Sequence, residues 1–130
     1  MARWLADFLQ SANWQPTLIA AVPLSKKRLK ARGYNQSALI AQELSAIVGL
    51  AYAPHAISRN RETKSQVGLD PIARWHNVRK AFRARPTLVD GHGVILVDDL
   101  ITTGATLSAC AEALEEAGAR MIYGLTVARA

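Results

Sequence analysis

The chain has 130 residues, half of them hydrophobic and a fifth charged, which fits one globular domain and excludes a disordered or low-complexity chain. Its 16 Lys and Arg against 10 Asp and Glu leave a net charge of +6, which favours anionic partners without separating nucleic acid from a small phosphorylated ligand. The single cysteine, Cys110, excludes an intramolecular disulfide and a zinc site built on several thiolates, and no apolar run approaches the ~18 residues of a membrane span.

Met1 to Asp7 carries an acid where a secretory apolar core should continue, so a soluble, cytoplasmic domain is expected. Leu5, Phe8, Leu9 and Ala12 fall at i, i+3, i+4 and i+7 and predict a helix over residues 2–13. Leu18 to Val22, closed by Pro23, reads as a buried strand. Lys26 to Arg32 holds five cations and reads as a basic loop: an element steering an anionic substrate, a plain solvated surface, or an electrostatic footprint for DNA. Ile40, Leu44, Ile47 and Val48 repeat the helical spacing before Gly49, and Asn35 is a natural cap for that helix. Ala56-Ile57-Ser58 predicts a second short strand.

Asp70-Pro71 predicts a helix start, with Ile72, Trp75, Val78 and Phe82 on the inner face. After the turn Asp90-Gly91-His92-Gly93, Val94 to Val97 is an unbroken apolar strand of the kind a parallel sheet covers on both faces. Leu107, Cys110, Ala111 and Leu114 mark an amphipathic helix ending at Gly118, and a strand from Met121 to Val127 follows. Cys110 on that apolar stripe is a core filler rather than a nucleophile, and His55, His76 and His92 lack metal-ligand spacing. The alternation of strands and helices predicts an α/β fold with a mainly parallel sheet, whose ligands bind beyond the carboxyl ends of the strands.

The chemistry concentrates in Val94-Ile95-Leu96-Val97-Asp98-Asp99-Leu100-Ile101-Thr102-Thr103-Gly104-Ala105-Thr106. A buried strand delivers two carboxylates, and a loop of hydroxyls with one glycine opens into a helix. A helix start offers backbone N–H groups to a phosphate, with Thr102, Thr103 and Thr106 as hydroxyl donors and Gly104 allowing close approach. Asp98 and Asp99 only accept, so they suit sugar hydroxyls or a magnesium shell. Side by side at a strand end they are expected to repel, so neutralising them should help the empty protein.

This segment closely resembles the phosphoribosyl-pyrophosphate (PRPP) signature of type I phosphoribosyltransferases. Val22-Pro23-Leu24-Ser25, Arg32-Gly33-Tyr34-Asn35-Gln36, Arg61 to Gln66, Arg74 to Val78, Ala81-Phe82 and Gly118-Ala119 resemble the ComF (competence protein F) family. That likeness covers residues 18–130 as a core domain, behind an N-terminal helix within residues 1–17 too short for a substantial hood. It implies a type I phosphoribosyltransferase fold and PRPP binding through Asp98, Asp99, Thr102, Thr103, Gly104, Ala105 and Thr106. It further implies a pyrophosphate loop at Leu24, Ser25 and Lys26, and catalytic parts for Asp98, Asp99, Arg61 and Lys64. Mg²⁺ would be held by Asp98 and Asp99 indirectly, through PRPP or water.

The implied activity is phosphoribosyl transfer to an unidentified acceptor with release of pyrophosphate, in nucleotide metabolism or DNA uptake. The alternatives are a PRPP-sensing module without turnover, or a competence component contacting DNA or uptake proteins; a homodimer is left open. Fuller family members carry a four-cysteine zinc module, which a chain with one cysteine cannot build. The chemical role of Arg32 to Gln36 does not follow from the sequence.

Overall fold

A computed structural model describes residues 15–59, 70–72, 81–99 and 104–126. Leu18–Ala21 (β1), Ala51–Tyr52 (β2), Gly93–Asp98 (β5) and Met121–Thr126 (β6) form a four-stranded parallel sheet in the order β2-β1-β5-β6. Ile57–Arg59 (β3) and Phe82–Ala84 (β4) form a separate antiparallel pair. The register sets Ala21 against Val97 and Asp98 against Thr126. The α/β fold with a mainly parallel sheet is therefore as expected.

Every residue of β5 is buried, because the strand is central and covered on both faces. Ile95 and Val97 pack with Ile19, Ile40, Ala41 and Leu44, whereas Val94 and Leu96 pack with Leu18, Ala20, Ala109, Cys110 and Leu114. Two cores result, one on each side of the sheet. Gln36–Val48 (α2) closes the first, and Ala105–Glu116 (α4) closes the second together with β3 and β4. The short Pro86–Val89 (α3) contributes Val89 to the second core. Gly118 turns the chain from α4 into β6 at φ 100°, where a side chain would be strained and would collide with Asp90.

Three expectations are corrected. Lys26–Arg32 is a helix (α1), not a loop: Ser25 Oγ accepts from Arg28 N at 3.1 Å as N-cap, and Gly33 in the left-handed region ends it. Phe82 belongs to β4, where pairing with Arg59 overrides its helical spacing from Val78. Ile72, expected on an inner face, is 70% exposed. The helix expected over 2–13, with the positions of Trp75 and Val78, lies outside the described residues. Among the described residues no helix is long and apolar enough to cross a membrane.

Candidate functional site

The chain goes from β1 to β2 through α1 and α2, and from β5 to β6 through α4. These crossovers lie on opposite faces of the sheet, so the strand order reverses between β1 and β5. Such a reversal opens a crevice at the carboxyl ends of the two strands. The loop after Val22 and the acids at the end of β5 both reach that edge, and Val22 N donates to Val97 O at 3.0 Å.

The two carboxylates do not sit side by side. Asp98, 8% exposed, shares the face of Leu96 by the two-residue strand repeat and turns toward α4. Burial pushes the Cys110 thiol of α4 well above its ordinary range; the Asp98 charge adds to this and Arg59 opposes it. The Arg59 guanidinium lies 5.0 Å from the Phe82 ring centroid. Asp99 turns the other way, to α2. Ser37 Oγ donates to Asp99 Oδ1 at 3.2 Å and accepts from Asp99 N at 3.0 Å, while Arg32 Nη1 stands 4.0 Å from Oδ2.

Also after β5, Gly104 is the N-cap of α4 at φ 81°, with no side-chain cap. Ala105 and Thr106 form the first turn and are half-buried. On the β1 side, Leu24 is half-buried, Ser25 is buried as the α1 cap, and Lys26 is exposed at the helix start. Asn35 ties this side to α2. Its Oδ1 accepts from Ser37 N at 3.0 Å and Ala38 N at 3.4 Å, and its Nδ2 donates to Val22 O at 3.1 Å.

Asp98, Asp99, the start of α4 at Gly104, Ala105 and Thr106, and residues 24–26 thus all lie at the carboxyl end of the parallel sheet. Thr102, Thr103, Arg61 and Lys64 lie outside the described residues. Two residues escaped the sequence reading. Ser37 carries no local signal, since its partner Asp99 is 62 positions away. Arg59 stands in none of the motifs the sequence displays.

The phosphoribosyl transferase domain family model matches residues 1–130. The chain belongs to that family. This phosphoribosyl transferase domain is also 36% identical over 107 residues to the DNA utilization protein YhgH of Escherichia coli K12, covering 82% of this chain and 47% of that protein. It is 35% identical over 117 residues to competence protein F of Haemophilus influenzae, covering 88% of this chain and 51% of that protein. These relatives put it in the ComF group, and it spans about half of their length. Among solved structures it resembles glutamine PRPP amidotransferase from B. subtilis, solved with ADP and GMP. The TM-score is 0.62 at 24% identity, over 96% of this chain and 24% of that one. The fold is that of type I phosphoribosyltransferases.

Two expected results follow from this geometry. Asn35→Ala removes a helix cap and the strut to Val22 together, and should cost about 1–2 kcal/mol in a urea melt. A loss under ~0.3 kcal/mol would show that water replaces both roles. Cys110→Ala should change stability by only ~1 kcal/mol and leave ligand binding intact. Its alkaline arm is more specific. The folded thiol keeps its proton above pH 9.0, its ordinary value, where the unfolded thiol loses it. Wild-type stability therefore falls relative to Cys110→Ala as pH rises past 9.0, by up to ~1.4 kcal/mol per unit. Parallel stability curves from pH 8 to 10 would contradict this.

Proposed function

We propose that this domain binds PRPP with Mg²⁺ and transfers its phosphoribosyl group to an acceptor, releasing pyrophosphate. The observation that carries the reading is the crevice between β1 and β5, with Asp98 and Asp99 at the carboxyl end of β5 and the Gly104-capped start of α4 at the same end of the sheet. Backbone N–H groups of that helix start, with Thr102, Thr103 and Thr106, hold the 5′-phosphate. Asp98 and Asp99 accept from the ribose hydroxyls.

The donor set also fits magnesium. Among the described residues no three potential ligands group together, so a cage is not what those residues offer. Two carboxylates beside substrate oxygens are the usual setting for this ion, and here Asp98 and Asp99 would hold it through PRPP or water. When bound, Mg²⁺ supplies charge neutralisation for the pyrophosphate. The bond between ribose C1 and the pyrophosphate oxygen breaks, its electron pair leaving with pyrophosphate, while a lone pair of the acceptor closes on C1. The centre passes through an oxocarbenium-like state. Little acid–base work is needed, and Asp99 is the candidate for what proton transfer there is with the acceptor. The 24–26 loop, Lys26, Arg61 and Lys64 steady the leaving group by position and charge.

Calorimetric titration with PRPP, with and without Mg²⁺, tests binding. Pyrophosphate release with nucleobases as trial acceptors tests turnover. Binding without release would make the domain a PRPP sensor, and no binding in either condition would overturn the reading.

A second reading is favoured by α1, which exposes Lys26, Lys27, Arg28, Lys30 and Arg32 beside Leu29 and Tyr34. Cations that track phosphates next to an exposed ring suit single-stranded nucleic acid, in keeping with the names of the relatives. Anisotropy of a labelled oligonucleotide should then fall steeply with salt. A flat response would remove this reading.

A further inference from the structure

We infer that Ser37 is a positioning residue that fixes the Asp99 carboxylate before any ligand arrives, and that Asn35 locks this position to the loop after β1. The inference deepens the PRPP reading and its functional half rests on it.

Ser37 is 3% exposed and is one of few buried polar side chains among the described residues. Its hydroxyl serves Asp99 twice, donating to Oδ1 and accepting from the backbone N–H. A reciprocal pair of this kind sets both the height of the backbone and the rotation of the carboxylate. Such a residue is not needed to cap α2, because Asn35 Oδ1 already accepts from the first turn. Ser37 is therefore directed at Asp99 rather than at its own helix.

Asn35 completes the connection through its other end, donating to Val22 O where the 23–25 loop begins. The start of α2 thus holds one loop with Asn35 and one acid with Ser37, two residues apart. Arg32 stands beside Asp99 Oδ2 from the end of α1. Oδ1 is engaged by Ser37, so the Oδ2 side is the one left to meet ribose or magnesium–water, with Arg32 displaced or shared. A carboxylate held in advance loses less freedom on binding. This gives Arg32 to Ser37 a chemical role: the stretch assembles the two halves of the crevice.

The test uses Ser37→Ala, with Ser37→Thr to restore the hydroxyl. Ser37→Cys keeps the volume but hydrogen-bonds weakly, should the alanine variant not fold. In the ligand-free protein, the Asp99 amide should exchange its hydrogen at least tenfold faster in Ser37→Ala, with Val97 unchanged. Affinity for PRPP with Mg²⁺ should fall tenfold or more, while affinity for inorganic pyrophosphate alone stays within about twofold. Ser37→Thr should recover both signals. A purely structural role would lower both affinities together with the melting temperature, and would overturn the inference. So would unchanged Asp99 exchange together with PRPP affinity within twofold of wild type. If wild type itself binds no PRPP, the PRPP reading fails, and Asp99 exchange alone then decides whether Ser37 fixes the carboxylate.

Discussion

Asp98→Asn with Asp99→Asn is expected to abolish Mg²⁺-dependent PRPP binding in a protein that stays folded. Ribose hydroxyls and a hydrated cation need acceptors of full negative charge, and an amide supplies half the lone pairs and none of the charge. The sequence suggested an added gain in stability from relieving repulsion. The structure removes most of that gain: Asp98 faces the α4 side and Asp99 faces Ser37, so the two side chains point apart. Loss of the Arg32 contact costs little, because the guanidinium is exposed and 4.0 Å away. The Asp99 half should therefore leave the melting temperature close to wild type, and any loss should come from neutralising buried Asp98. Calorimetry of both proteins checks the binding, and affinities within about threefold, under ~1 kcal/mol, would remove the acid pair from the site.

Leu44→Ala should have the largest effect on stability, about 2–5 kcal/mol. Leu44 is fully buried at the centre of the core formed with Ile19, Ile40, Ile95 and Val97, and no water reaches the cavity its truncation would leave. Against a total stability of about 5–15 kcal/mol that is a large fraction. Since α2 also carries Asn35 and Ser37, looser docking of the helix should weaken PRPP binding in the same variant. Denaturant melts measure the first effect, and a cost under ~1 kcal/mol would mean the sheet side of α2 repacks easily.

The parallel sheet was readable because burial on both faces leaves an unmistakable apolar run at Val94 to Val97. The long helices were readable through Ile40 and Leu44, and through Cys110 and Leu114, together with their glycine stops. Other elements were not. α1 has no apolar stripe, since its seven residues lie wholly on the surface and depend on the Ser25 cap and Gly33. β2 has two residues, too few for any period. Phe82 kept helical spacing with Val78, yet its partner in space is Arg59, and pairing across a long interval leaves no local trace. At the site, residue types at the acids and at Gly104 were legible from their order alone. The opposed directions of Asp98 and Asp99 follow from strand alternation, but only once the strand's last residue is known. The bond from Ser37 to Asp99 is set by the docking of α2 on β5, which one sequence does not encode at short range.

The antiparallel pair of β3 and β4 has a bearing on how this domain tolerates change. Arg59 and Phe82 face each other in that ribbon, so both ends of the stretch between them are fixed by hydrogen-bonded backbone packed under α4. Lengthening a segment whose ends are already closed adds only chain-closure entropy, roughly 0.6 kcal/mol for each doubling. The parallel sheet, with the acids at its edge, takes no part in that closure. A change of length between Arg59 and Phe82 therefore leaves the pairing of the parallel strands as it is.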